Sequence, residues 1–153
     1  MARDLKYFMR NQEEEIITVP GPETIKDENG NVVNLEIRVL PQAEIRRINN
    51  AYRKRTMATD KKGNPLVANG EVIWKTEKDS ERATRHIIVE ALAYPNLKDE
   101  ELMKYFKCVD VTEMPLKVFP RADEYAHVTR AVLTALGIID GEVEDEAITD
   151  AKN

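Results

Sequence analysis

Apolar positions along this chain change their spacing several times, and each change marks an element. Residues 33–39 alternate, with Val33, Leu35, Ile37 and Val39 apolar and Asn34, Glu36 and Arg38 polar, as a strand with one buried face requires. The residues before it, Asp27-Glu28-Asn29-Gly30-Asn31, are a turn signal, so residues 23–26 and 33–39 are predicted to pair as a β-hairpin. Further upstream, Ile16, Ile17 and Val19 follow the acidic run 13–15, and Pro20-Gly21-Pro22 then stops any regular element. Pro41 opens a helix over 42–55, on which Ala43, Ile45, Ile48 and Tyr52 recur at helical spacing.

From 56 to 75 the helical period is lost. Residues 61–65 read as a turn, and Leu66 to Ala68 and Val72 to Trp74 flank Asn69-Gly70 closely enough for a second, exposed hairpin. Thr76, with Asp79 three residues on, reads as a capping box for a helix running to about Ala93. On that helix Ala83, Ile87, Ala91 and Tyr94 form a stripe widened by Ile88 and Leu92, which makes it the central core element. Residues 94–140 then read as three short helices. Thr112 caps one whose first turn holds Glu113, Met114 and Pro115, Pro120 separates it from the next, and Gly137 closes the last after a Tyr125, Val128, Val132, Leu136 stripe. Residues 1–11 read as a short helix or arm with Leu5, Phe8 and Met9 on one side.

These elements predict an α+β protein: an N-terminal β-hairpin region beside a mostly helical C-terminal domain of about four to five helices. The expected division is an arm and hairpin over 1–40, a helical domain over 41–139 with a hairpin-like excursion at 56–75, and a disordered acidic tail over 140–153. The charge supports that last division. The tail holds six acids against Lys152, which equals the whole formal net charge of −5 and leaves the body neutral. A basic field for nucleic acid is therefore absent overall. Arg46, Arg47, Arg53, Lys54 and Arg55 could still contact phosphate, although basic residues in a last turn also complement the helix dipole.

No catalytic set can be assembled, so no catalytic, cofactor-binding or metal-ligating residue is assigned. Cys108 is the single cysteine, and His86 and His127, the only imidazoles, sit in no nucleophile or metal-ligand spacing. Gly63 lacks the flanking residues of a phosphate loop. Glu100 and Glu101 are adjacent acids at a helix start, where the dipole accounts for them. Trp74 could anchor a ligand or partner, but a lone tryptophan is more often a core or hinge residue. No apolar run suits a membrane helix and no export signal precedes the first element, so a cytoplasmic, non-membrane protein is expected.

The order of these signals resembles a known family. The segment KYFMRN, the hairpin IKDENGNVVNLEIRVLP running into a charged helix, then EALAYPNLKDEELMKYF and the ending EYAHVTRAVLTALGI are similar to the XkdN-like tail assembly chaperones of tailed phages and prophages, over roughly residues 6–140. The resemblance implies a non-enzymatic protein of the host cytoplasm that binds the tape measure protein and keeps it soluble while the tail tube assembles. Contact with the tail tube protein and formation of a homo-oligomer are further partner expectations. A long helical client would be sheltered in apolar grooves between short helices, for which Leu102, Phe106, Met114, Leu116, Phe119 and Tyr125 are the candidate partner-binding residues. The competing readings are a nucleic-acid-binding or regulatory phage protein and a structural connector of the virion.

Overall fold

The computed structural model describes residues 3–11 and 13–138. The expected disordered tail lies outside these residues. In chain order the elements are β1 (Ile16–Pro20), β2 (Asn34–Arg38), α1 (Gln42–Ala51), β3 (Arg53–Met57), β4 (Val67–Ala68), β5 (Glu71–Val72), β6 (Trp74–Lys78), α2 (Ser80–Ala91), β7 (Leu92–Tyr94), α3 (Glu100–Tyr105), α4 (Met114–Val118) and α5 (Ala122–Ala135), with 3₁₀ turns at Leu5–Phe8 and Val111–Glu113. The class is α+β, with antiparallel strands towards the N-terminus and most helices after them.

The alternation at 33–39 does make a strand, but with a different partner. β2 pairs antiparallel with β1, Val19 opposite Leu35 and Ile17 opposite Ile37, while residues 23–33 form a tight excursion closed by the single bridge of Lys26 to Val32. Asp27 holds that excursion by accepting from the amides of Asn29 and Asn31 at 2.9 and 3.0 Å, and Gly30 takes a positive φ of 82°, as such a turn demands. Pro20-Gly21-Pro22 ends β1, as expected of a stop signal. A side chain at Gly21 would sit 2.2 Å from the Val33 carbonyl oxygen, so only glycine lets the two segments close. β7 pairs on the other side of β2, giving the order β1-β2-β7.

α1 stops at Ala51, four residues short of the predicted end. Arg53, Lys54 and Arg55 belong instead to β3, which pairs antiparallel with β6 from Arg53 opposite Lys78 to Met57 opposite Trp74. Beyond them β4 and β5 close on Asn69 and Gly70, both at positive φ, as the Asn-Gly signal required. The excursion is therefore a long exposed ribbon spanning 53–78. Its strand face carries no apolar alternation, because neither side of it is buried.

Thr76 lies in β6, so the cap of α2 is Asp79, which accepts from the Arg82 amide at 3.1 Å. Likewise Asp110, not Thr112, caps the turn before α4, accepting from the Thr112 amide at 3.0 Å. One core joins all of this. Leu35 and Ile37 of β2, Ile48 of α1, Ile87, Ile88 and Ala91 of α2, Leu97, Met114, Phe119, and Val128 and Val132 of α5 form a single buried cluster. α2 is its centre, as its stripe predicted. Gly137 closes α5 with a φ of 77°.

Candidate functional site

The six candidate partner-binding residues fall into three groups. Met114 and Phe119 are 0% and 1% exposed and belong to the core, so neither offers a surface in this structure. Leu102, Phe106 and Tyr125 are partly buried against that core, and burial raises the Tyr125 phenol above its ordinary pKa. Leu116 is 40% exposed. Around them Tyr105 stands edge-on to Phe106, and Tyr105 and Val109 are more exposed still.

A broader apolar groove opens elsewhere, between β1 and α5. It encloses about 740 Å³ and is lined by Ile17, Val19, Ala126, His127, Arg130 and Ala131, among others. β1 forms it because it is the outermost strand of its sheet. α5 forms it because its stripe of Val128 and Val132 faces the core, which leaves a second face of small residues turned to the strand. His127 joins the two walls by donating from Nε2 to the Pro20 carbonyl at 2.9 Å. At the N-terminus of α5 the buried Glu124 accepts from the Arg121 amide and from the Thr24 hydroxyl, which ties the helix to the excursion after β1. Asp123 and Arg130, both exposed, supply charge of each sign at the rim. A floor of apolar atoms with few polar groups suits an apolar ridge of a partner. Sequence reasoning missed this groove; the Ile16, Ile17, Val19 run and the alanines of the last helix were its signals.

The polar clusters hold elements together. Arg82 of α2 reaches Asp110 at 2.7 Å and the Thr112 hydroxyl at 3.3 Å, and Arg85 donates to the Thr112 carbonyl at 2.9 Å. The Thr112 hydroxyl donates to Asp110 at 2.7 Å. This latch fastens α2 to the segment before α4, and it holds the Asp110 carboxyl below its ordinary pKa, first through the Thr112 hydroxyl and amide and then through Arg82. A second chain links Tyr52 to His86 at 2.7 Å and His86 to Glu90 at 3.5 Å, with Lys98 3.1 Å from Glu90. It fixes α1 on α2. Burial pushes Glu90 up, but Lys98 and His86 outweigh it and the net shift is downward. Cys108 donates to the Asp110 carbonyl at 3.1 Å. Among the described residues no group of three or more His, Cys, Asp or Glu could hold a metal ion, and no helix is long and apolar enough to cross a membrane.

Comparison with known proteins places this arrangement. The model of the phage XkdN-like tail assembly chaperone protein matches residues 5–152. The Bacillus subtilis protein YqbN is 31% identical over 144 residues, covering 93% of this chain and 89% of its own length. XkdN of the phage-like element PBSX, also from Bacillus subtilis, is 27% identical over 148 residues, covering 94% of this chain and 93% of its own. The fold is similar to the crystal structure of the protein YqbN, with a TM-score of 0.67 at 23% identity, over 90% of this chain and 98% of that one.

Proposed function

The chain belongs to the phage XkdN-like tail assembly chaperone family, and on that premise we propose that it binds the tape measure protein in the host cytoplasm and keeps it soluble while the tail tube assembles. The observation that carries this reading is the β1–α5 groove. A tape measure protein is a long helical chain, so before assembly it presents one apolar ridge after another to water. A single amphipathic helix laid in a groove of about 740 Å³ would bury such a ridge at i, i+3, i+4 and i+7 positions. Asp123 and Arg130 at the rim would fix its direction without demanding a particular sequence. That is the economy a chaperone needs, because it must accept many similar segments of one client and release them all.

The test is co-expression with the tape measure protein. The fraction of soluble client should rise when this chain is present. It should fall back with Ala126→Glu, which sets a carboxylate on the groove wall but leaves the core untouched and the melting temperature unchanged. A client equally insoluble with and without the chain would sink the reading. Finding the chain by mass spectrometry in purified virions would favour a structural connector instead.

A further inference from the structure

The exposed ribbon of β3 and β6 has two unlike faces. Directly opposed residues of an antiparallel pair share a face, so the register puts Lys54, Thr56, Lys75 and Glu77 on one side. That side is balanced: Lys75 and Glu77 pair at 2.9 Å. The other side carries Arg53, Arg55, Met57, Trp74, Thr76 and Lys78, three cations and no acid. Arg53 lies directly across from Lys78, and like charges in that position repel. Among the described residues none of Arg46, Arg53, Arg55 and Lys78 joins an ion pair. Among the described residues the face thus lacks the anion its charges call for.

The end of the described chain lies at that face. A cleft of about 750 Å³ at the root of the ribbon is lined by Arg46, Arg53 and Lys78, by Ile45 and Leu136, and by Ile138 itself. Residues 139–153 continue from Ile138, and six of them are acids against one lysine, with Ile139, Val143 and Ile148 between them. Fifteen residues reach at most about 50 Å, and the strand from Arg53 to Met57 is only roughly 13 Å long. Tethering also holds such a segment at an effective concentration on the order of millimolar.

We propose that the acidic segment 140–150 docks on the Arg53, Arg55, Lys78 face of the ribbon in the same chain. The tail relieves the cross-strand repulsion and screens the basic face, so that other polyanions must displace it before they bind. The assignment stands on charge and on chain path, and it is independent of the identity of the client.

Trp74 is the only tryptophan, 49% exposed, and lies under the Arg55 guanidinium at 4.7 Å, so its fluorescence reports on this face. In the full chain, Glu142→Gln, Glu144→Gln, Asp145→Asn and Glu146→Gln together should red-shift Trp74 emission and increase its quenching by acrylamide, a neutral probe. About 1 M NaCl, where the screening length is near 3 Å, should bring the unsubstituted chain to the same values. Arg53→Glu with Lys78→Glu should do likewise, and adding Glu144→Lys, Asp145→Lys and Glu146→Lys to that pair should restore the protected state. Identical quenching in all four proteins would overturn the proposal. So would a difference that grows with protein concentration, which would place the tail on a second copy. Duplex DNA that binds the unsubstituted and tail-neutralised chains equally well would show the face open, with the same consequence.

Discussion

Phe119 and Leu116 sit three residues apart, were indistinguishable as groove candidates, and have opposite surroundings, so truncating each in turn separates core from surface. Phe119 is 1% exposed within the cluster that includes Ile88, Met114 and Val128. Phe119→Ala removes an aromatic ring from a close-packed site and leaves a cavity, for a loss of roughly 3–5 kcal/mol. Leu116 is 40% exposed on α4, so Leu116→Ala forfeits only part of a leucine's transfer free energy, about 1 kcal/mol, partly offset by the better helix propensity of alanine. In a domain of this size 1 kcal/mol moves the melting temperature by about 2–4 °C, so Phe119→Ala should melt roughly 6–20 °C lower and Leu116→Ala less than about 4 °C lower. Urea unfolding followed by far-ultraviolet circular dichroism is the suitable assay, because Trp74 is on the exposed ribbon and reports poorly on the core. The slope with urea should be the same for all three proteins. Losses that agree within about 0.5 kcal/mol, or a Phe119→Ala loss under about 1 kcal/mol, would refute the assignment of Phe119 to the core.

Gly21→Ala places a methyl 2.2 Å from the Val33 carbonyl oxygen and should cost roughly 1–3 kcal/mol or more in urea unfolding; an unchanged midpoint would show that the two segments can part. Gly137→Ala meets nothing within 4 Å at a φ of 77°, so only the left-handed backbone term of about 1 kcal/mol should appear. Thr112→Val, close to isosteric and 4% exposed, removes the hydroxyl that Asp110 and Arg82 share, for about 1–3 kcal/mol. Asp110 and Glu90 both titrate lower in the folded chain than their ordinary values, so the stability they supply is present above about pH 4 and is lost as acid protonates them. Melting temperature should hold from neutrality to about pH 5 and decline below pH 4, with a shallower acid limb in Asp110→Asn; a melting temperature that rises on acidification would contradict the sign.

What the sequence revealed of the fold depended on whether an element buries one face. The 33–39 alternation, the stripe of α2 and the Tyr125, Val128, Val132, Leu136 stripe of α5 were legible because one side of each packs on the core. β3 was not. Arg53-Lys54-Arg55 are good helix formers following a clear helix, and only the long-range pairing with residues 74–78 draws them into a strand. The first strand was misplaced for a related reason: the Asn29-Gly30 turn is real, but it closes a loop, and β2 takes its partner from beyond a proline-glycine-proline junction whose glycine permits a backbone approach that no local propensity encodes. The caps differ by a few residues because Thr76 and Asp79, or Asp110 and Thr112, are all of the types able to cap, with Asp the stronger. Which of them does so follows from where the flanking strand or turn ends.

Partner surfaces are harder to read than folds because the same side chains serve both. A large apolar residue at helical spacing satisfies a core and a groove equally, so Met114, Leu116 and Phe119 could not be separated until α2 and α5 were seen to enclose two of them and leave the third at the surface. The β1–α5 groove carries the opposite signature: Ala126, Ala131 and Ala135 are small, and small residues leave room that large ones would fill. If this groove takes the client, as proposed above, it has reason to look this way. A wall of large exposed side chains would draw copies of the chaperone to one another, whereas an open groove floored by strand and lined with alanine stays soluble when empty and gains apolar contact only when a ridge enters it. The six candidates are large side chains sought as the lining of a groove, and if the client is a ridge of knobs, as proposed above, the small residues along α5 are the ones that leave holes for it.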